Sequence, residues 1–222
     1  MGTLLASLLP FIIGSALVPI ENIINILLLK SPRQGLLKAT AYVVGMTALR
    51  LLQGIIFGLI FSNQEGGGKS PVALTLQLVL GILLLVTAYK QWSNEDDPDA
   101  PPPKWLAMID SLTPLTAFWI GFGVLLINAK LWVFTLGAIG IIEAAQLGQP
   151  SSTIVYLLFV LLAESLMLLS ILFRVAIPQK SKILLEQASA WLTLNNRPIM
   201  IIVSLVFGLL FLYQGASGLL NL

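Results

Sequence analysis

The sequence predicts an all-α polytopic membrane protein: six transmembrane helices built as two inverted three-helix repeats, the first and fourth spans interrupted near the midplane. Three observations carry this expectation. The chain has 222 residues, 57% of them hydrophobic and only 10% charged, whereas soluble domains carry about 25% charged residues. Its mean hydropathy is strongly positive, so lipid is the solvent for most of it. Apolar stretches of about 20 residues, enough to cross a hydrocarbon core, recur along the chain, and two of them carry polar residues at their centres.

The first span runs from roughly Thr3 to Leu29 and is broken by Pro19, then by Glu21, Asn22 and Asn25. The link Lys30 to Gly35 is short and rich in breakers. A second span covers roughly Leu36 to Phe61, a glycine-rich loop Ser62 to Pro71, and a third span roughly Val72 to Trp92. The acidic, proline-rich connector Ser93 to Pro103 reads as extended and solvated. Lys104 to Leu112 has apolar residues at helical spacing but is too short to span, so it reads as an interfacial helix. Thr113-Pro114 marks a helix start. The fourth stretch, Leu115 to about Ala145, is interrupted at Asn128-Ala129-Lys130. A turn at Gln146 to Ser152 leads to a continuous fifth span, Thr153 to Ile177. Pro178 to Pro198 reads as a second amphipathic connector, with Ile183, Leu184, Ala188, Trp191 and Leu192 on one face and Lys182, Glu186 and Ser189 on another. A sixth span, Ile199 to Leu220, completes one transmembrane domain over residues 1–222: a first half 1–92, a connector 93–113 and a second half 114–222.

Basic residues set the orientation. Lys30, Arg33, Lys38, Lys90, Lys104, Arg174, Lys180, Lys182 and Arg197 fall in the first, third and fifth connections, while the remaining loops and both termini hold only Lys69. Both termini of this multi-pass chain are therefore expected outside, and the acidic connector and interfacial helices on the cytoplasmic side. Three spans on each side of the connector insert the halves in opposite senses, which places a substrate site near the midplane between them. No basic n-region or small-residue cleavage motif marks the first stretch as a cleavable signal.

The chain has no cysteine and no histidine. Thiol chemistry and the usual ligands of zinc, copper, haem and iron–sulfur clusters are excluded. No metal, no cofactor, no nucleic-acid partner and no enzymatic activity are expected; the usual hydrolytic constellations cannot be assembled. Gly68-Lys69-Ser70 lacks the first glycine of a phosphate-binding loop, which would fall on Asn63. Gly54 and Gly58 are spaced for close helix packing. The glycine-rich spans allow a homodimer without demanding one.

Counting inward at about 1.5 Å per residue puts Glu21 about 13 Å below Lys30, near the centre of the bilayer. Arg50, Lys130 and Glu164 lie at similar depth in the second, fourth and fifth spans. Each alone costs about 2.5–3.5 kcal/mol to insert, and pairing lowers that cost. The depths suggest Glu21 facing Lys130 and Arg50 facing Glu164, with the partners exchangeable. Pro19, Glu21, Asn22, Asn25, Asn128 and Lys130 are the candidate substrate or coupling-ion residues, and Arg50 and Glu164 the candidate intramembrane pair. Glu143, nearer the outer end of the fourth span, reads as an interface or vestibule residue.

Ala16-Leu-Val-Pro19-Ile, Leu27-Leu-Leu-Lys30-Ser-Pro-Arg33, Ala41-Tyr-Val-Val-Gly45 and Asn128-Ala129-Lys130 together resemble the GAP proteins (peptidoglycolipid-addressing proteins) of the LysE transporter superfamily, over nearly the whole chain. The resemblance implies an inner-membrane exporter with relatives that move amino acids, metal ions or envelope glycolipids, and some that act as lipid-delivery factors. It implies that Pro19 breaks the first span and that Asn128 and Lys130 form a second half-site. Ala129 stands where the family tends to have proline, which argues for a more continuous fourth helix. The expected function is a secondary exporter of a small molecule or envelope lipid, with membrane lipids as its surroundings, coupled to protons through a midplane carboxylate. Two other readings stay open: a non-transporting assembly or addressing factor, and a cation carrier using Glu21, Asn22, Asn25 and Asn128 as oxygen ligands.

Overall fold

The computed structural model describes residues 2–62, 71–93 and 109–220. Among these residues the chain forms helices and no strand. The helices are α1 (Gly2–Ala16), α2 (Pro19–Lys30), α3 (Gly35–Ser62), α4 (Pro71–Ser93), α5 (Pro114–Ile127), α6 (Ala129–Ala144), α7 (Ser151–Ala163), α8 (Ser165–Ala176), α9 (Pro178–Leu194) and α10 (Asn196–Leu220), with one 3₁₀ turn at Ile109–Ser111 before α5. Two unbroken helices, in α3 and α10, are long and apolar enough to cross a membrane. Counting each bent pair α1–α2, α5–α6 and α7–α8 as one span raises that to five. The glycine-rich loop with Lys69, the acidic connector and most of the expected interfacial helix at Lys104–Leu112 lie outside the described residues.

The first expected break is present and has a local cause. Proline lacks the N–H that would continue α1 and disfavours helical backbone at the residue before it. Val18 accordingly adopts an extended conformation (φ −66, ψ 111), Pro19 opens α2, and the two helices meet at 55°. The break frees carbonyls that lipid cannot satisfy. Asn22 does so instead: its amide nitrogen donates to the Ala16 carbonyl at 2.9 Å and the Val18 carbonyl at 3.0 Å.

The fourth stretch breaks as well, although Ala129 favours continuity. Asn128 caps α5 with extended backbone (φ −84, ψ 96), and the helices on either side of it are bent by 74°. The indole N–H of Trp132 donates to the carbonyls of Leu125 and Leu126, at 3.1 and 3.0 Å. Each seal comes from the residue four positions after the break, Val18 to Asn22 and Asn128 to Trp132.

The fifth stretch departs from expectation. In place of one continuous span, α7 and α8 meet at Glu164 with a bend of 62°. Glu164 has φ −98 and ψ 6, the sparsely populated bridge region where many site residues sit. No proline or glycine marks the position, so composition gives no warning of it.

The docked side of the second amphipathic connector follows neither expected face. α9 packs against α2 and α8 and buries Ser181, Leu185 and Ser189, at i, i+4 and i+8, while Ile183, Leu184 and Trp191 are exposed. Its serines turn their hydroxyls back onto local carbonyls or lie under the helix, so small size rather than polarity decides which face docks. Lys38, counted above as a loop cation, is buried inside α3 and donates to Ser31 Oγ at 2.7 Å and the Asp110 carbonyl at 3.0 Å.

The bundle is closed by two intimate helix pairs, α4 with α10 and α3 with α5. In the second, a β-carbon on Gly45 would collide with the Phe118 carbonyl and one on Gly121 with the Tyr42 carbonyl, so the backbones touch directly, as small residues permit in lipid. Between the pairs, Phe11 stacks on Phe211 at 4.9 Å, and Phe134 meets Phe207 edge-on at 5.3 Å. Trp132→Phe keeps an aromatic ring and removes the donor, leaving the Leu125 and Leu126 carbonyls at the break unsealed. It is expected to destabilise the detergent-solubilised protein by about 1–3 kcal/mol, as is Asn22→Leu, measured by thermal unfolding; unchanged stability in both would refute the sealing role.

Candidate functional site

The site is built around one side chain. Arg50 lies near the middle of α3 and is fully buried, with 0% exposure. A guanidinium carries five N–H donors in a rigid fork, and its Nη atoms reach hydroxyls on two other elements. Nη1 donates to Thr135 Oγ1 on α6 at 3.0 Å, and Nη2 to Ser15 Oγ in the last turn of α1 at 2.7 Å. Its Nε lies 3.3 Å from Glu164 Oε1. That N–H is not aimed at the oxygen, so the contact is an ion pair without hydrogen-bond geometry. Glu164 is anchored by its other oxygen, which accepts from Thr47 Oγ1 at 2.6 Å. The bend at Glu164 therefore sits where α3 presents both a cation and a hydroxyl one turn apart.

Glu21 completes the charge cluster. It is 1% exposed, in the first turn of α2, and is subject to the charges of both Arg50 and Glu164. No donor among the described residues reaches its Oε1. The helix start contributes partial positive charge at this carboxylate, but two carboxylates and one guanidinium still leave one negative charge uncompensated when both acids are ionised. Such a group binds a proton, or receives a cation or a donor. The Tyr42 hydroxyl, about two turns before Arg50 on α3, lies in the field of all three charges, and its oxygen is likewise without a partner among the described residues.

The other expected site residues divide. Pro19 opens α2 and touches the site only through the bend it creates. Asn22 has its amide nitrogen committed to the break. Asn25, one turn after Glu21 and fully buried, donates to the Met167 carbonyl on α8 at 3.2 Å, while its Oδ1 has no donor. It ties α2 to the helix that follows Glu164. Asn128 caps α5 at the second break. Arg50 and Glu164 are brought together; the side chain of Lys130, the expected partner of Glu21, lies outside the described residues. Among those residues no cluster of three acidic side chains is arranged to hold a metal.

Sequence reasoning missed the shell. Ser15, Thr47, Thr135, Tyr42 and Tyr156 are ordinary residues in apolar helices, and only their registers relative to Arg50 and Glu164 give them meaning. Tyr156 donates to the Arg50 carbonyl from α7, and Gln53, one turn beyond Arg50, is buried with neither amide atom partnered among the described residues. Thr47 was detectable in principle: it lies three residues before Arg50, on a neighbouring face of the same helix.

Residues 8–217 match the family described as Sap, sulfolipid-1-addressing protein. The chain belongs to this family. No curated protein and no solved structure matches it. As a member of the sulfolipid-1-addressing family it shares the theme of the addressing proteins that its motifs resemble, and its apolar helices mark it as a membrane protein.

Breaking a buried pair leaves an uncompensated charge and costs about 3–5 kcal/mol, whereas replacing both partners by apolar groups is far less costly. Arg50→Met and Glu164→Leu are each expected to lose stability of that order, and the double variant to lose less than either. A double-mutant cycle by thermal unfolding checks this; strictly additive losses would contradict the pairing.

Proposed function

We propose that this protein is a secondary exporter of an envelope lipid or small molecule, coupled to protons through Glu21. The observation that carries the reading is the Glu21 carboxylate: buried at a helix break, under the charges of Arg50 and Glu164, with one oxygen lacking any donor among the described residues. Intramembrane acids are costly and face interior pathways or partners. Protonation of Glu21 removes the surplus negative charge beside the Arg50–Glu164 pair. A difference in proton affinity between two arrangements of α1–α2 and α7–α8 then biases which is populated. The family's name makes a sulfolipid-like envelope lipid the favoured cargo class.

In this reading α4 is a sixth span, both termini face outward across a bacterial inner membrane, and the halves are inverted repeats of the kind found in secondary transporters. The matching breaks at Val18 and Asn128, each sealed from four residues on, support the correspondence of first and fourth spans. Kinship with the LysE superfamily belongs to the same proposal, as do the absence of an enzymatic activity and of nucleic-acid partners and the lipid surroundings as principal contacts.

A second reading is favoured by one observation. α9 leaves Ile183, Leu184 and Trp191 exposed beside basic Lys180, a face that suits a factor docking in a larger membrane assembly. Persistent copurification with a partner, together with no transport by the isolated protein, would select it.

Glu21→Gln mimics the neutral acid permanently. In proteoliposomes it is expected to abolish export driven by an imposed pH gradient while leaving insertion and yield unchanged. Gradient-driven export equal to that of the wild type would sink the coupling role.

A further inference from the structure

α3 and α6 approach one another at two levels. Thr135 on α6 holds the Arg50 guanidinium on α3. Eight residues later on both helices, about 12 Å of rise, they approach again. The Glu143 carboxylate is the nearest group over Gly58, with Oε1 3.9 Å from where a β-carbon would lie. Between the two levels Leu136 and Ile139 are buried against Phe57 and Tyr156, with Trp132 packing on them from the inner side of Thr135. Phe57 meets Trp132 edge-on at 5.9 Å, and the Tyr156 ring fills the space a side chain on Gly54 would need. Polar level, one apolar layer, polar level: this is the arrangement of a barrier between two stations, and the layer is thin enough for a few waters to bridge when it opens.

We propose that Glu143 is the outer proton station of this protein and that the layer of Leu136, Ile139, Phe57 and Tyr156 is the barrier between it and the Glu21–Arg50–Glu164 site. The inference rests on the coupling role of Glu21 proposed above and adds the route by which its proton arrives. A proton from the outer aqueous phase bonds to a carboxylate oxygen of Glu143. When water enters the layer the proton passes along it to the Glu21 carboxylate; one O–H bond breaks, one forms, and Glu143 is left ionised, with no oxidation or reduction. The groups that face the route are few. α3 brings Arg50 and α7 brings Tyr156. α6 has no titratable residue between Thr135 and Glu143, and its Lys130 lies on the other side of Thr135. α1 and α5 carry no titratable side chain, and those of α4, Tyr89 and Lys90, are in its last turn. Gly58 fits the role: a methyl is accommodated there, but a longer side chain would press toward the Glu143 carboxylate and close the mouth.

The test is proton flux into proteoliposomes of the full chain, loaded with a pH-sensitive dye and given an external acid pulse without cargo. The wild type is expected to be tight. Leu136→Ser with Ile139→Ser opens the layer and is expected to leak protons several-fold faster, and adding Glu143→Gln is expected to return the leak close to the wild-type rate. Ile139→Ala, a milder opening, keeps the test available where the double serine variant does not fold. A leak absent from every folded opening variant, or one that Glu143→Gln leaves unchanged, overturns the proposal. Because no cargo is present, the outcome is separable from that of Glu21→Gln. Export lost in Glu21→Gln with no leak in the opening variants removes Glu143 and the layer from the mechanism and leaves the exporter reading in place. A Glu143-dependent leak with normal export in Glu21→Gln does the reverse.

Discussion

One buried guanidinium organises the centre of this membrane protein. Arg50 has no access to water, and a cation in that position is tolerated only where its donors and its charge are both answered. The answer is collected from separate parts of the chain: Ser15 at the end of α1, Thr135 on α6 and Glu164 between α7 and α8. Each of those elements lies at or beside a break in a span. The helix interruptions and the charge cluster are thus one feature seen from two sides. The breaks allow short helices to point hydroxyls and a carboxylate at Arg50, and Arg50 gives the broken segments a common anchor.

That geometry also separates structural polar residues from chemical ones. Asn22 and Trp132 spend their N–H groups on carbonyls that the breaks set free, as a backbone in lipid requires. Thr47 fixes Glu164, and Lys38 fixes the turn at Ile109–Ser111 to the start of α3. What remains uncommitted is concentrated at Glu21, Asn25, Tyr42 and Gln53.

Much of this architecture is legible in the sequence because lipid makes exceptions visible. Pro19 followed by Glu21, Asn22 and Asn25 announces a break in an otherwise apolar run, and Asn128 announces another. Counting residues from the ends of the spans places Arg50 and Glu164 at one level, where they are in contact. The bend at Glu164 was not legible, because it arises from the reach of one carboxylate toward α3 and not from any local breaker. The hydroxyl shell was hidden for a related reason: serine and threonine are unremarkable in apolar helices, and only tertiary placement distinguishes Ser15, Thr47 and Thr135 from solvent- or lipid-facing neighbours. In α9 two faces are legible in the sequence, but the side that docks follows neither, since burial there is set by Leu185 and the small serines Ser181 and Ser189 that let α2 approach.

The three bends differ in how they are held, and the difference gives the bundle unequal joints. At Val18 and Asn128 the helical ladder is interrupted and a side chain clamps the loose carbonyls. At Glu164 the helical bonds of both segments end on the junction residue itself: its N–H donates to the Val160 carbonyl and its carbonyl accepts from the Leu168 N–H. What holds that joint is the grip of Arg50 and Thr47 on its carboxylate. The first two joints are pinned through backbone carbonyls and the third through a charge, so a change in charge at the centre of the protein is felt as leverage along α7 and α8.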